Sequence, residues 1–205
     1  FQNIKNFDYK VHYISNLLSS SSEYKDFRIA YIDENTQSKN GTLLFIHGHP
    51  TWSYLWRHLI PIALKQDYRV LAIDLPGFGK SDKPLTEDFF TFKNYRDILL
   101  NFIDHLNLKD ITLVLHEWGA TLGLTLPMEN PKKYFGVICF NAYINNNSVK
   151  CGITMSGEMC DNFKNRLIGA KILTKECNNL RFNNFFYVSS KEIFTKKPDY
   201  KHLSL

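Results

Sequence analysis

The chain has no apolar stretch approaching the ~18 residues that cross a bilayer, and no short apolar run behind basic residues near its start. Membrane-spanning and signal-peptide readings are therefore set aside. Cysteine is scarce, at 4 in 205 residues, and Cys139, Cys151, Cys160 and Cys177 include no CxxC spacing. Cys139 lies in an apolar run and reads as a buried small hydrophobe. The other three leave an odd count for pairing, so free thiols in a reducing compartment, the cytoplasm, are expected. Glycine and proline, at 10 and 7 residues, are too few for a low-complexity or collagen-like chain. What is present is 44% hydrophobic, 22% charged and 15% aromatic, with the aromatics spread along the chain. That is the composition of one soluble globular domain able to bury a core.

Residues 1–144 carry no net charge, with 15 Lys/Arg against 15 Asp/Glu, whereas residues 145–205 hold 10 against 5. A nucleic-acid binder would gather that excess into a stripe with aromatic platforms. Here it is interleaved with Asn145-Asn146-Asn147 and Asn183-Asn184, which reads as a solvated surface with no nucleic-acid partner.

Strand-like segments are expected at Phe27–Ile32, Leu43–Ile46, Arg69–Ile73, Ile111–Leu115 and Phe135–Phe140. Between them, helical spacing runs over Tyr54–Leu64, with Pro61 at a kink or a late start, then over Thr91–Leu106 and Trp118–Met128. Strands apolar on both faces and alternating with helices predict an α/β fold with a mostly parallel sheet and right-handed crossovers. From Asn145 onward that alternation stops, leaving weak helical stretches near Phe163–Leu173 and Leu180–Val188. The expected division is a core over 1–144 and a partial helical cap, or lid, over 145–205.

Ligands bind outside the carboxyl ends of strands in such a sheet. Three strands end in polar, turn-rich sequence: His47-Gly48-His49-Pro50, Asp74-Leu75-Pro76-Gly77 and His116-Glu117-Trp118-Gly119. The last has the pattern of a nucleophile elbow, a strand, a tight turn and a helix that together expose one side chain. His47, His49 and Asp74 also invite a metal reading, but no third His or Glu stands at ligand spacing, and no metal is expected. Gly77-Phe78-Gly79-Lys80-Ser81 lacks the GxxxxGK[ST] spacing of a phosphate loop and reads as a turn.

These stretches, together with Thr51-Trp52-Ser53-Tyr54-Leu55-Trp56-Arg57, Phe78-Gly79-Lys80-Ser81-Asp82-Lys83-Pro84 and Leu122-Gly123-Leu124-Thr125-Leu126-Pro127, make the sequence resemble the haloalkane dehalogenases of the alpha/beta-hydrolase superfamily. The resemblance implies a hydrolase in which a carboxylate at the elbow displaces halide from carbon. Water activated by a histidine then cleaves the resulting ester. It implies Glu117 as the nucleophile, Trp118 as the indole donor that cradles the halide, and the backbone N–H groups of His49 and Trp118 as the oxyanion hole. His49 stands where the family usually carries Asn or Glu. The implied partners are a small apolar halogenated substrate and a halide ion, with no cofactor and no membrane, while oligomeric state stays open.

Against the family pattern, Glu117 stands where an Asp is usual, and shifts of about 1 Å at a reacting atom can cost ~10²-fold. Glu117 is thus either a working nucleophile or a capping carboxylate in a degenerate, non-catalytic homologue. In this superfamily the base follows the nucleophile in the chain, and the only later histidine, His202, falls in the expected lid. Asn141 stands where some relatives carry the acid, and Ser189 where the lid would supply a second halide-binding tryptophan. An epoxide hydrolase is the other enzyme reading, with Tyr187 and Tyr200 as lid tyrosines. Against this family the chain is expected to be truncated before the last strands, to leave an open sheet edge, and to lack turnover.

Overall fold

A computed structural model describes residue 4, residues 7–19 and 22–141, and the backbone of 144–146, 149–151 and 185–189. The described strands are β1 (Val11–Ile14), β2 (Ile29–Glu34), β3 (Thr42–Ile46), β4 (Arg69–Ile73), β5 (Ile111–His116), β6 (Tyr134–Phe140), β7 (Ile144–Asn146), β8 (Val149–Cys151) and β9 (Phe185–Ser189). The helices are α1 (Ile60–Lys65), α2 (Phe92–His105) and α3 (Trp118–Gly123), supplemented by short 3-10 turns. One sheet has the order β1-β2-β4-β3-β5-β6-β9, and β7 pairs with β8 separately. The four strands β4, β3, β5 and β6 are mutually parallel, while β1, β2 and β9 join antiparallel. The expected mostly parallel α/β architecture is what the chain adopts.

The apolar runs are two-faced for a physical reason: successive side chains of a strand point to opposite sides. Leu44, Ile46, Leu71, Ile73, Leu113 and Leu115 face a core closed by Ile98, Leu99 and Phe102 of α2 and by Ala120 and Leu122 of α3. The intervening Leu43, Phe45, Val70, Ala72 and Val114 face a second core, closed by Trp56, Leu59, Ile60 and Ala63. Both faces are covered, so the middles of these strands are apolar throughout, and polar residues such as Thr42, Arg69, Thr112 and His116 fall at or near their ends.

Helix ends follow their local chemistry. Thr91 caps α2, its side chain accepting from Asn94 N at 3.2 Å. Pro61 lies in the first turn of α1, where its missing N–H is not needed. The helical pattern over Tyr54–Leu64 accordingly resolves into a 3-10 turn at Ser53–Trp56 and a late-starting α1.

The segment around 180–189 differs from expectation. Where helical spacing was read over Leu180–Val188, residues Phe185–Ser189 form β9, paired antiparallel to Gly136–Phe140. Phe185-Phe186-Tyr187-Val188 is aromatic and β-branched, which suits a strand, and the edge of β6 offers unpaired backbone groups. β9 therefore covers the edge of β6 and is itself the last strand of the sheet. The other helical stretch, Phe163–Leu173, lies outside the described residues. β1 was not anticipated, because four residues of mixed polarity carry too short a pattern.

The strand order sets the position of the site. From β3 the chain crosses to β4 on one side through α1, then passes back over β3 through α2 to reach β5 on the other side. Right-handed crossovers in opposite directions put these helices on opposite faces. The reversal of direction makes a topological switch point at the carboxyl ends of β3 and β5, where sheets of this kind bind ligands.

Phe45, on the central strand and fully buried against Trp56 at 5.2 Å between ring centroids, is the test of this packing. Phe45→Ala is expected to lower stability by about 3–5 kcal/mol, read from the urea midpoint at unchanged m-value.

Candidate active site

Glu117 follows β5 with φ 48° and ψ −116°, a backbone conformation that L-residues rarely adopt and that costs on the order of 1–3 kcal/mol. The turn is held from both sides. Glu117 N donates to Phe140 O of β6 at 3.1 Å, and α3 begins at the next residue. Gly119 packs so closely on β3 that a Cβ there would strike Ile46 O and His47 O. The elbow expected from His116-Glu117-Trp118-Gly119 is thus present, and its glycine is required by backbone approach rather than by φ.

Parallel register of β3 with β5, Ile46 opposite Leu115, brings the His47-Gly48-His49-Pro50 loop over the elbow. The His49–Pro50 peptide is cis. His49 N donates to Glu117 Oε2 at 2.8 Å, and Trp118 N donates to the same oxygen at 2.6 Å. The structure therefore brings together all three residues singled out from sequence, Glu117, His49 and Trp118. Among the described residues, Oε1 accepts no hydrogen bond. One oxygen is saturated by two oriented donors while the other keeps its lone pairs. The added methylene of Glu, compared with Asp, does not prevent the carboxylate from reaching both N–H groups.

Three supports were not evident from sequence. A Cβ on Gly48 would lie 2.6 Å from Glu117 Cβ and 2.7 Å from Oε2, so only glycine lets the loop touch the carboxylate. His47 is fully buried; its Nδ1–H donates to Gly48 O and its Nε2 accepts from Leu75 N, each at 2.9 Å. It ties the ends of β3 and β4 together, and burial pushes its pKa down to about 4. Asp74, also buried, accepts from Ser53 N at 2.7 Å and Lys80 N at 2.8 Å. Asp74 O accepts from the Ser81 hydroxyl at 2.5 Å. Gly79, at φ +49°, gives the Asp74 carboxylate its room. The signal for these roles was the strand-end position of His47 and Asp74, but a strand end looks alike whether its polar group is structural or reactive.

His47 and Asp74 are committed to backbone partners, and no cluster of metal-binding residues occurs among the described residues. The Pro76–Ser81 segment is a turn, as read; Lys83 Nζ donates to Gly79 O at 2.7 Å and Ser81 O at 2.5 Å. Trp52 stacks on Tyr54 at 5.6 Å and Trp56 is fully buried, so both are packing residues. Asn141 follows β6 with φ 48°. Tyr200 and His202 lie outside the described residues, and Tyr187 and Ser189 are described only as backbone of β9. No helix among the described residues is long and apolar enough to cross a membrane.

Residues 41–169 match the family described as alpha/beta hydrolase fold. The chain belongs to that family. Within it, a haloalkane dehalogenase from Psychrobacter cryohalolentis is 37% identical over 144 residues, 70% of this chain and 46% of the relative. Among solved structures, a tetrameric haloalkane dehalogenase from Paraglaciecola agarilytica is similar at TM-score 0.65 and 36% identity, covering 80% of this chain and 53% of that one. An epoxide hydrolase from Bacillus megaterium, solved as a point mutant, is similar at TM-score 0.54 and 28% identity over 64% of this chain and 42% of that one. The chain spans about half the length of the curated haloalkane dehalogenases it matches. In this member of the alpha/beta hydrolase fold family the turn after β5 carries Glu117, and the His47-Gly48-His49-Pro50 loop lies against it.

A pH prediction follows from His47. Folded, it stays neutral until about pH 4, while unfolded it protonates near its ordinary 6.5. The unfolded chain thus binds the extra proton as pH falls between those values, and stability drops. The loss attributable to this residue is roughly 3 kcal/mol between pH 6.5 and 4. Urea midpoints across that range are expected to fall steeply for the natural chain. The His47→Asn variant, less stable at pH 7, should show a shallower fall.

Proposed function

We propose that this chain carries the nucleophile and oxyanion hole of a haloalkane dehalogenase-like hydrolase, with Glu117 as nucleophile. The observation that supports this most directly is the asymmetry of the carboxylate. Oε2 holds the His49 and Trp118 N–H groups, which leaves Oε1 as the oxygen able to attack.

In the first step Oε1 forms a bond to the halogen-bearing carbon as the carbon–halogen bond breaks, and the halide leaves with the bonding pair. The indole N–H of Trp118 is a donor without acceptor character and suits the departing anion. The product of this step is an alkyl ester whose carbonyl oxygen is Oε2. Attack of water at the ester carbon then drives negative charge onto Oε2, where the two N–H groups are already oriented. Such donors contribute about 3–4 kcal/mol each to acyl chemistry.

The epoxide hydrolase reading uses the same carboxylate and has its own support in the Bacillus megaterium likeness. The dehalogenase reading is preferred because 37% identity runs across the stretches that build the elbow and its loop. In the non-catalytic reading, Glu117 serves only to bind the two N–H groups.

Incubation of the 205-residue chain with excess 1,2-dibromoethane, followed by acid quench, is expected to release at least one bromide per chain. Intact mass should show a bromoethyl adduct on the peptide containing Glu117. Glu117→Gln keeps the shape and the acceptor oxygen and is expected to give neither. Equal bromide release from Glu117→Gln overturns the assignment. Capture of styrene oxide with no capture of the dibromide moves it to the epoxide class, and no capture of either supports the non-catalytic reading.

A further inference from the structure

The two N–H groups on Glu117 Oε2 belong to peptide planes, and each plane has a carbonyl at its other side. In a trans peptide the C=O and the N–H point in opposite directions, so fixing the carbonyl fixes the aim of the N–H. For Trp118 that carbonyl is Glu117 O, which accepts from Ala120 N at 2.9 Å and Thr121 N at 3.3 Å in the first turn of α3. The helix backbone aims this donor by itself. For His49 the carbonyl is Gly48 O, in the loop after β3, and side chains do much of the holding there.

Among the described residues, three donors reach Gly48 O: His47 Nδ1 at 2.9 Å, Thr51 N at 3.0 Å and the Thr51 hydroxyl at 2.7 Å. We propose that Thr51 is a positioning residue, whose hydroxyl bond to Gly48 O keeps the His49 N–H aimed at Glu117 Oε2 while the ester is hydrolysed, an inference that rests on the reading of Glu117 as nucleophile.

The surroundings make the hydroxyl a fixed point. Beyond it, the Trp52 ring meets Phe7 edge-on and stacks on Tyr54, both at 5.6 Å between centroids. Ser53 N is bound to Asp74 Oδ1 at 2.7 Å. Before it, His47 is held by Leu75 N at 2.9 Å. With both ends of the loop anchored, rotation of the Gly48–His49 peptide plane is what would turn the N–H away from Oε2, and it must break the bonds to Gly48 O. His47 also joins β3 to β4, so its loss acts on the whole end of the sheet. The Thr51 N–H closes its turn whatever side chain position 51 carries, proline apart. The hydroxyl is therefore the part of this hold that can be removed on its own.

The need for an independent hold arises between the two steps. Once halide has left, Oε2 is the carbonyl oxygen of a neutral ester, and hydrogen bonds to it are about half as strong as those to the carboxylate. Hydroxide bonding to Cδ of Glu117 then pushes the carbonyl pair onto Oε2. Collapse breaks the Cδ–Oε1 bond, and the alkoxide takes the proton of the new carboxylic acid, leaving the alcohol and the Glu117 carboxylate. A donor kept in place through the neutral stage by Gly48 O meets the returning charge without reorganising.

Thr51→Val keeps the shape and removes the hydroxyl, while Thr51→Ser keeps the hydroxyl. Each protein is loaded with 1,2-dibromoethane, freed of excess probe and moved to mildly alkaline buffer, where hydroxide attacks the ester directly. Decay of the bromoethyl adduct, followed by intact mass, is expected to slow about fivefold in Thr51→Val, the size of one net hydrogen bond, and to recover in Thr51→Ser. Amide exchange of the unloaded proteins, followed by NMR, separates positioning from a general loss of stability. In Thr51→Val the His49 N–H should exchange about fivefold faster and the Trp118 N–H at the natural rate. Equal decay in the natural chain and Thr51→Val overturns the role of Thr51 while Glu117 stands as nucleophile. So does slow decay that Thr51→Ser fails to restore, or exchange raised alike at His49 and Trp118. A natural chain that forms no adduct overturns the nucleophile reading, and the role of Thr51 falls with it.

Discussion

The site depends on one oxygen atom receiving two backbone N–H groups from different parts of the chain. Glu117 Oε2 is reached by His49 N, after β3, and by Trp118 N, at the start of α3. Hydrogen bonds to an ionised carboxylate are among the stronger ones in proteins, typically about twice a neutral pair. They require β3 and β5 to be adjacent, parallel and in register, so that both strands end at the same height. The central sheet, its reversal of direction at β3 and the two covering cores all serve that alignment.

Holding the clamp closed imposes costs on its neighbours. Glu117 takes a backbone conformation of positive φ, Gly48 and Gly119 give up side chains, and His47 is kept neutral inside the core. Asp74 anchors the facing turn through buried bonds to Ser53 N and Lys80 N. These concessions lie where β3, β4 and β5 end, and the remainder of the sheet is plain apolar packing. Local strain surrounded by a rigid scaffold is what a preorganised reactive group needs.

The replacement of the usual Asp by Glu117 fits the same frame. The longer side chain still reaches both N–H groups, so the substitution leaves the clamp intact and alters the placement of the free Oε1. Position 49 meets the other oxygen, Oε2, through its backbone N–H, so that contact does not depend on the side chain there.

Much was legible in the sequence because period-two and helical patterns are local properties. The strands at 43–46, 69–73, 111–115 and 135–140, helix α2 and the elbow were read within a residue or two. β1 and β9 were not, because short strands take their pairing from distant neighbours: β9 lies along β6 only after the chain has travelled more than forty residues. The sequence by itself determined that a carboxylate would stand at a tight turn between a buried strand and a helix, since apolar run, turn residues and glycine spacing are encoded within nine residues. Only the tertiary structure decided which strand-end side chains are tied into the fold. His47, His49 and Asp74 look equivalent as sequence, and it is burial, register and the direction of each hydrogen bond that make two of them buried struts and leave the third exposed, with its backbone N–H on Glu117.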